Sequence, residues 1–199
     1  MEDTYLTLSK TSEGLYKEKG SKFLAFAYPV SDEEGVKEIL DQLRKQYYDA
    51  RHHCYAYILG KNQEQYRAND DGEPNHSAGD PILGQIRSNE LTNTLIVVIR
   101  YFGGTKLGVG GLITAYKTAA AEAIENNEII EAIVKRKIML EFDYLAMNDV
   151  MRLVKDFDLE IIDQSFDNTC QMNVLVREGA YESFSIKIDD IDQAKEISN

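Results

Sequence analysis

Apolar and polar positions alternate over TYLTLS (4–9), EGLYKEK (13–19) and SKFLAFAYPV (21–30), with aromatic and β-branched residues among them, and this period of two predicts three early strands. The period changes at SDEEGVKEILDQLRKQYYDA (31–50). There Val36, Ile39, Leu40 and Leu43 recur at helical spacing, and Ser31 followed by Glu34 has the form of a capping box. HHCYAYILG (52–60) predicts a strand ending at Gly60, KNQEQYRANDDGEPNHSAGD (61–80) a polar loop, and PILGQIRSNE (81–90) a short helix with Pro81 in its first turn. TNTLIVVIRYF (92–102) is continuously apolar through its middle, as expected of a strand covered on both faces. After two glycine pairs a second helix places Leu112, Ala115, Tyr116, Ala119 and Ala123 on one side, small enough for close packing on a sheet.

From about residue 131 the pattern restarts. Strand 132–143, helix 146–157, strands 159–166 and 170–177, helix 179–189 and a short strand near 192–197 give the order β-α-β-β-α-β, that of a split βαβ, ferredoxin-like module. ENNEII (125–130) is the expected join. The chain therefore predicts an α+β fold of two domains, 1–130 and 131–199.

Charge narrows the functional classes. The 22 Lys and Arg against 34 Asp and Glu give −12, which excludes indiscriminate attraction to nucleic acid or anionic membrane. Yet no carboxylate occurs between Glu90 and Glu122, while Arg100, Lys106 and Lys117 do, so this stretch is either a local positive island or a buried strand and alanine-rich helix that need few charges. Apolar runs are too short for a bilayer span of roughly 20 residues, and no basic-then-apolar leader pattern precedes them, so a cytoplasmic location and no membrane partner are expected. Cys54 and Cys170 stand far apart and only three histidines occur, a set that offers neither a disulfide framework nor zinc spacing.

Three stretches carry candidate chemistry. GGTKLGVGGL (103–112) opens a helix, and glycines there let backbone N–H groups converge on an anion at the positive helix end. It matches neither the Walker pattern nor GxGxxG, so a structural corner, a phosphate contact and a nucleotide site all remain open. Asp70, Asp71 and Glu73 around Gly72 suit either a hard cation or a turn. Alternation puts His52 and Cys54 on one strand face and His53 on the other, as a thiol and its base or as ordinary packing.

The run GDPILGQIRSNELTNTLIVVIRYFGGTKLG (79–108), with SKF (21–23), DARHHCYAY (49–57), DDGEP (70–74) and GVGGLITAY (108–116), resembles the signature of the YigZ/IMPACT family. The resemblance covers residues 1–130 by motif and the remainder by arrangement. It implies an N-terminal domain like the second domain of a small-subunit ribosomal protein, a fold shared with elongation factor G, and a ferredoxin-like C-terminal domain. It implies an RNA- or ribosome-associated binding protein that regulates translation, as the eukaryotic relatives do through a stress kinase pathway with an additional domain. No reaction, cofactor or metal carries over, so binding is favoured over catalysis. Carried over by motif, the expected phosphate or RNA contacts are Lys22, Arg100, Gly103, Gly104, Lys106, Gly108, Gly110 and Gly111, with His52, Asp70, Asp71 and Glu73 as pocket candidates. His76 and Thr114 depart from the family pattern, the latter standing where a basic residue is common. The alternatives are a Mg²⁺-dependent nucleotide-binding enzyme using the same loop with the three carboxylates, and a regulator that binds a protein partner. Oligomeric state has no signal in the sequence.

Overall fold

A computed structural model describes residues 3–167 and 169–197. The chain is mixed α/β and divides into two compact units. One runs from Tyr5 to Ala132, and the other joins the residues before Tyr5 to those from Ile133 onward.

In the first unit β2 (Ser12–Glu18), β3 (Ser21–Pro29), β4 (His52–Leu59), β5 (Gln65–Asn69) and β6 (Thr94–Tyr101) form one sheet in the order β2-β3-β6-β4-β5. Every neighbouring pair is antiparallel. The central strand is the unbroken apolar run. Ile96 and Val98 join a core built with α2 (Gly79–Ser88) and α3 (Gly108–Glu125), while Leu95, Val97 and Ile99 join one built with α1 (Glu33–Gln46). Helices on both faces thus account for the missing alternation. Leu112, Ala115, Tyr116, Ala119 and Ala123 are all buried along α3, as their spacing predicts.

Three local features differ from expectation. Asp32, not Ser31, caps α1: its Oδ1 accepts from the Gly35 amide at 2.8 Å, while the Ser31 hydroxyl donates to Oδ2. A carboxylate there serves both the orphan amides and the positive helix end. The loop expected over 61–80 contains β5, whose exposed, polar QYRAN becomes a strand only through its pairing with β4. The ENNEII join runs into β7 (Ile129–Ile133), which pairs with β1 (Thr4–Leu8) in a two-stranded ribbon.

The second unit pairs β8 (Lys135–Phe142), β9 (Glu160–Phe166), β10 (Cys170–Arg177) and β11 (Ala194–Ile197) in the order β11-β8-β10-β9, all antiparallel. Its core places Phe142, Met172 and Val174 against Val150 of α4 (Met147–Asp156) and Phe184 and Ile188 of α5 (Tyr181–Asp189). Asp3 belongs to this unit. Its carboxylate takes two parallel bonds from Arg177, both 2.7 Å, and a third from the Gly179 amide at 2.9 Å. Arg177 first, and that amide second, hold the Asp3 carboxyl well below the usual range. Among the described residues no helix is long and apolar enough to cross a membrane.

His53 carries a pH signature. It is 6% exposed on β4, its Nε2 has no partner among the described residues, and Nδ1 stands 3.9 Å from Asp71. Burial is the main cause of its lowered pKa, only partly opposed by Asp71. The unfolded chain therefore takes up this proton first on acidification. His53 contributes stability that is present above its unfolded pKa of about 6.5 and is lost as pH falls through the folded value. Urea unfolding of His53→Gln should show a flatter pH slope in that window than wild type. Equal slopes would assign the acid loss elsewhere.

Candidate functional site

The C-terminal end of β6, the chain entering β4, the 70–74 turn and the start of α3 enclose a cleft of about 690 Å³. At one wall lies a buried ion pair. Arg100 Nη1 donates to Glu73 Oε1 at 2.6 Å, with the two side chains 7% and 4% exposed. Tyr116, from the buried face of α3, donates its hydroxyl to the same oxygen at 2.8 Å. Behind it the Cys54 Sγ stands 3.4 Å from Tyr116 Oη and 3.0 Å from the Asp70 carbonyl oxygen. Burial pushes the Tyr116 phenol far above its ordinary value and the Cys54 thiol well above the thiol range. Cys54 is therefore a protonated packing residue. The contacts of its Sγ are with Asp70 and Tyr116, while the His52 Nδ1–H donates to the Asp71 carbonyl oxygen at 2.9 Å.

The three carboxylates of the turn separate into different tasks. Asp70 Oδ1 accepts from the amides of Ala78 and Gly79, and Oδ2 from that of His76, so it anchors the start of α2. Asp71 Oδ2 accepts from the His53 amide at 2.6 Å. Glu73 alone reaches the cleft. Among the described residues no group of three His, Cys, Asp or Glu could hold a metal ion, and these three side chains face protein donors instead.

The glycine joint is open. The helix α3 begins without a side-chain cap and without an acidic residue in its first turn, so its leading amides lack protein partners of that kind. A Cβ built on Gly104, Gly108 or Gly110 would meet nothing within 4 Å, whereas one on Gly111 would press on Leu107. Gly104 and Gly108 have φ of +88° and +70°, a left-handed backbone that favours glycine. Gly110 has neither that backbone nor a neighbour to avoid, and its cost in a helix brings no packing within the fold. Gly103 is different, packed on the backbone of Gly20 with its amide on the Ser21 hydroxyl at 3.1 Å.

Of the residues singled out by sequence, His52, Glu73, Arg100, Lys106 and Gly108 line the cleft together. Asp70, Asp71, Gly103, Gly104, Gly110 and Gly111 do not line it. Lys22 is exposed on β3 opposite Tyr101 and does not line it either. Asp49, Tyr101, Phe102 and Tyr116 were not legible as site residues. Tyr101 donates to Asp49 at 2.8 Å, and burial together with that bond pushes its phenol up to about 12. Tyr116 had one available signal, since a tyrosine on an alanine-lined helix face must bury a hydroxyl that needs a partner. Phe102 is 55% exposed, with its ring 5.6 Å from the Arg100 guanidinium carbon.

Residues 19–124 match the Impact N-terminal domain, a segment that contains the entire cleft lining. The chain is 30% identical over 192 residues to the IMPACT family member YvyE of Bacillus subtilis strain 168, covering 96% of this chain and 88% of that protein. It is 29% identical over 174 residues to the IMPACT family member YigZ of Escherichia coli K12, covering 86% and 85%. A crystal structure of a hypothetical protein is similar at a TM-score of 0.77 and 25% identity, covering 100% of this chain and 98% of that one. The cleft motifs and a match extending over both units agree: the chain belongs to the IMPACT family.

Proposed function

We propose that this protein is a cytoplasmic, RNA-associated regulator of translation that holds phosphate at the start of α3. The observation that carries this reading is the uncapped, glycine-opened helix N-terminus beside Lys106 in a cleft. Such an end offers convergent N–H donors and a positive dipole to an anion, and glycine leaves room for the anion to approach. Arg100 serves differently from a free phosphate clamp. Glu73 neutralises it, so Lys106, exposed at the rim, is the main mobile charge of the loop.

The sheet order β11-β8-β10-β9 with both helices packed into one core supports a ferredoxin-like second domain. We assign residues 1–130 to a domain like the second domain of a small-subunit ribosomal protein and 131–199 to the ferredoxin-like one. Both kinds of fold occur among proteins of the translation apparatus, which supports RNA over other polyanions. The net charge of −12 disfavours long nonspecific tracks and suits a short, localised contact.

Fluorescence anisotropy with single-stranded RNA at two salt concentrations tests the site. Lys106→Ala should weaken binding and reduce the slope of log affinity against log salt by about 0.7, the share of one phosphate on a single strand. Equal affinity and slope in both proteins would remove Lys106 from the interface.

A further inference from the structure

The size and the wall chemistry of the cleft bear on which part of an RNA it receives. Resting on the RNA reading above, we propose that it takes a single nucleotide carrying a terminal phosphate, the 5′-monophosphate of an RNA end or the same group on a free mononucleotide. Its volume of about 690 Å³ lies in the range of pockets that enclose one small ligand, roughly 300–1,000 Å³. A strand passing through would need a run of cations along its whole path. Here Lys106 and Arg51 line the cleft, Arg100 is neutralised by Glu73, and Asp49 adds a negative group to the wall.

Two halves of a nucleotide find complementary surfaces. The first-turn amides of α3 and Lys106 favour a dianionic monoester over a singly charged diester, because the helix-end attraction scales with charge. Phe102, Leu107, Val109 and Leu112 supply the apolar side, and the exposed Phe102 ring offers a face on which a base stacks. An independent pointer lies in the wall between them. Arg100 is 7% exposed, yet its Nε has no hydrogen-bond partner among the described residues. A buried donor without an acceptor is costly, and an incoming oxygen relieves that cost. Arg100, held by Glu73 through Nη1 and with Phe23 and Phe102 beside its guanidinium, is a lining residue of the cleft such an oxygen would enter.

The test compares one RNA oligonucleotide with a 5′-phosphate or a 5′-hydroxyl by anisotropy, with AMP, GMP, CMP and UMP as competitors. The 5′-phosphorylated form should bind roughly ten- to hundredfold more tightly, the range for losing hydrogen bonds to a charged group. A free monophosphate should displace it, and Phe102→Ala, a change at an exposed ring, should weaken both interactions. Equal binding of the two oligonucleotides with no displacement would overturn this proposal while leaving the RNA reading intact. Monophosphate binding, read by calorimetry, with no oligonucleotide binding would support the pocket and sink the RNA reading. Binding of neither probe would overturn both.

Discussion

Glu73→Ala is expected to destabilise the first unit by about 3–5 kcal/mol, the cost of leaving one member of a buried ion pair without its counter-charge. The substitution strands the Arg100 guanidinium, 7% exposed, and removes the acceptor of the Tyr116 hydroxyl at the same stroke. Glu73→Gln should lose less, because an amide oxygen still accepts from Tyr116 while the charge is gone. Urea denaturation combined with hydrogen exchange at the β6 amides would assign the loss to this unit. A drop below about 1 kcal/mol would place the pair among solvent-screened ones. The double variant Glu73→Leu with Arg100→Met should recover much of the stability, since apolar replacement of a buried pair is often neutral or better. It should not recover ligand binding, which separates the two roles of the pair.

Gly103→Ala carries the second large effect, a loss at or above the upper end of the ~1–3 kcal/mol range for overpacking. An added methyl would overlap the backbone of Gly20 and Ser21, where no side chain can rotate aside. Gly20 has φ of +81° and returns the constraint, since its own Cβ would sit 2.9 Å from the Gly103 carbonyl oxygen. The β2–β3 turn and the exit of β6 are thus interlocked through two glycines. Thermal unfolding of the purified variant reads the effect. A melting temperature within a degree of wild type would mean that this turn yields easily. Neither loss of stability depends on any ligand.

The sequence pattern disclosed the elements with strong periodicity. The continuous apolar run of β6 and the alanine-lined face of α3 appear where their residues dictate. β5 was hidden because an exposed edge strand carries no core-facing pattern, and its register comes from β4. The shift of the α1 cap from Ser31 to Asp32 reflects two adjacent residues of equal capping chemistry, between which only backbone geometry chooses. At the site, glycine spacing drew attention to the start of α3. It could not reveal that Arg100 would meet Glu73 across 27 residues, or that Asp70 and Asp71 would spend their oxygens on amides. The Arg100–Glu73 pairing depends on the antiparallel return of β6 beside β4, which places Arg100 opposite His52. Long-range partnership of this kind leaves no trace in local residue order.

The Asp3 clamp imposes an order on synthesis. A chain leaves the ribosome N-terminus first, so Asp3 is exposed long before Arg177, 174 residues later, has been made. At about 5–20 residues per second that interval lasts roughly ten to thirty seconds, ample for the intervening unit to fold. Asp3 must then wait for Arg177 to be made before it meets its guanidinium, so the second unit closes only after the first has had time to fold.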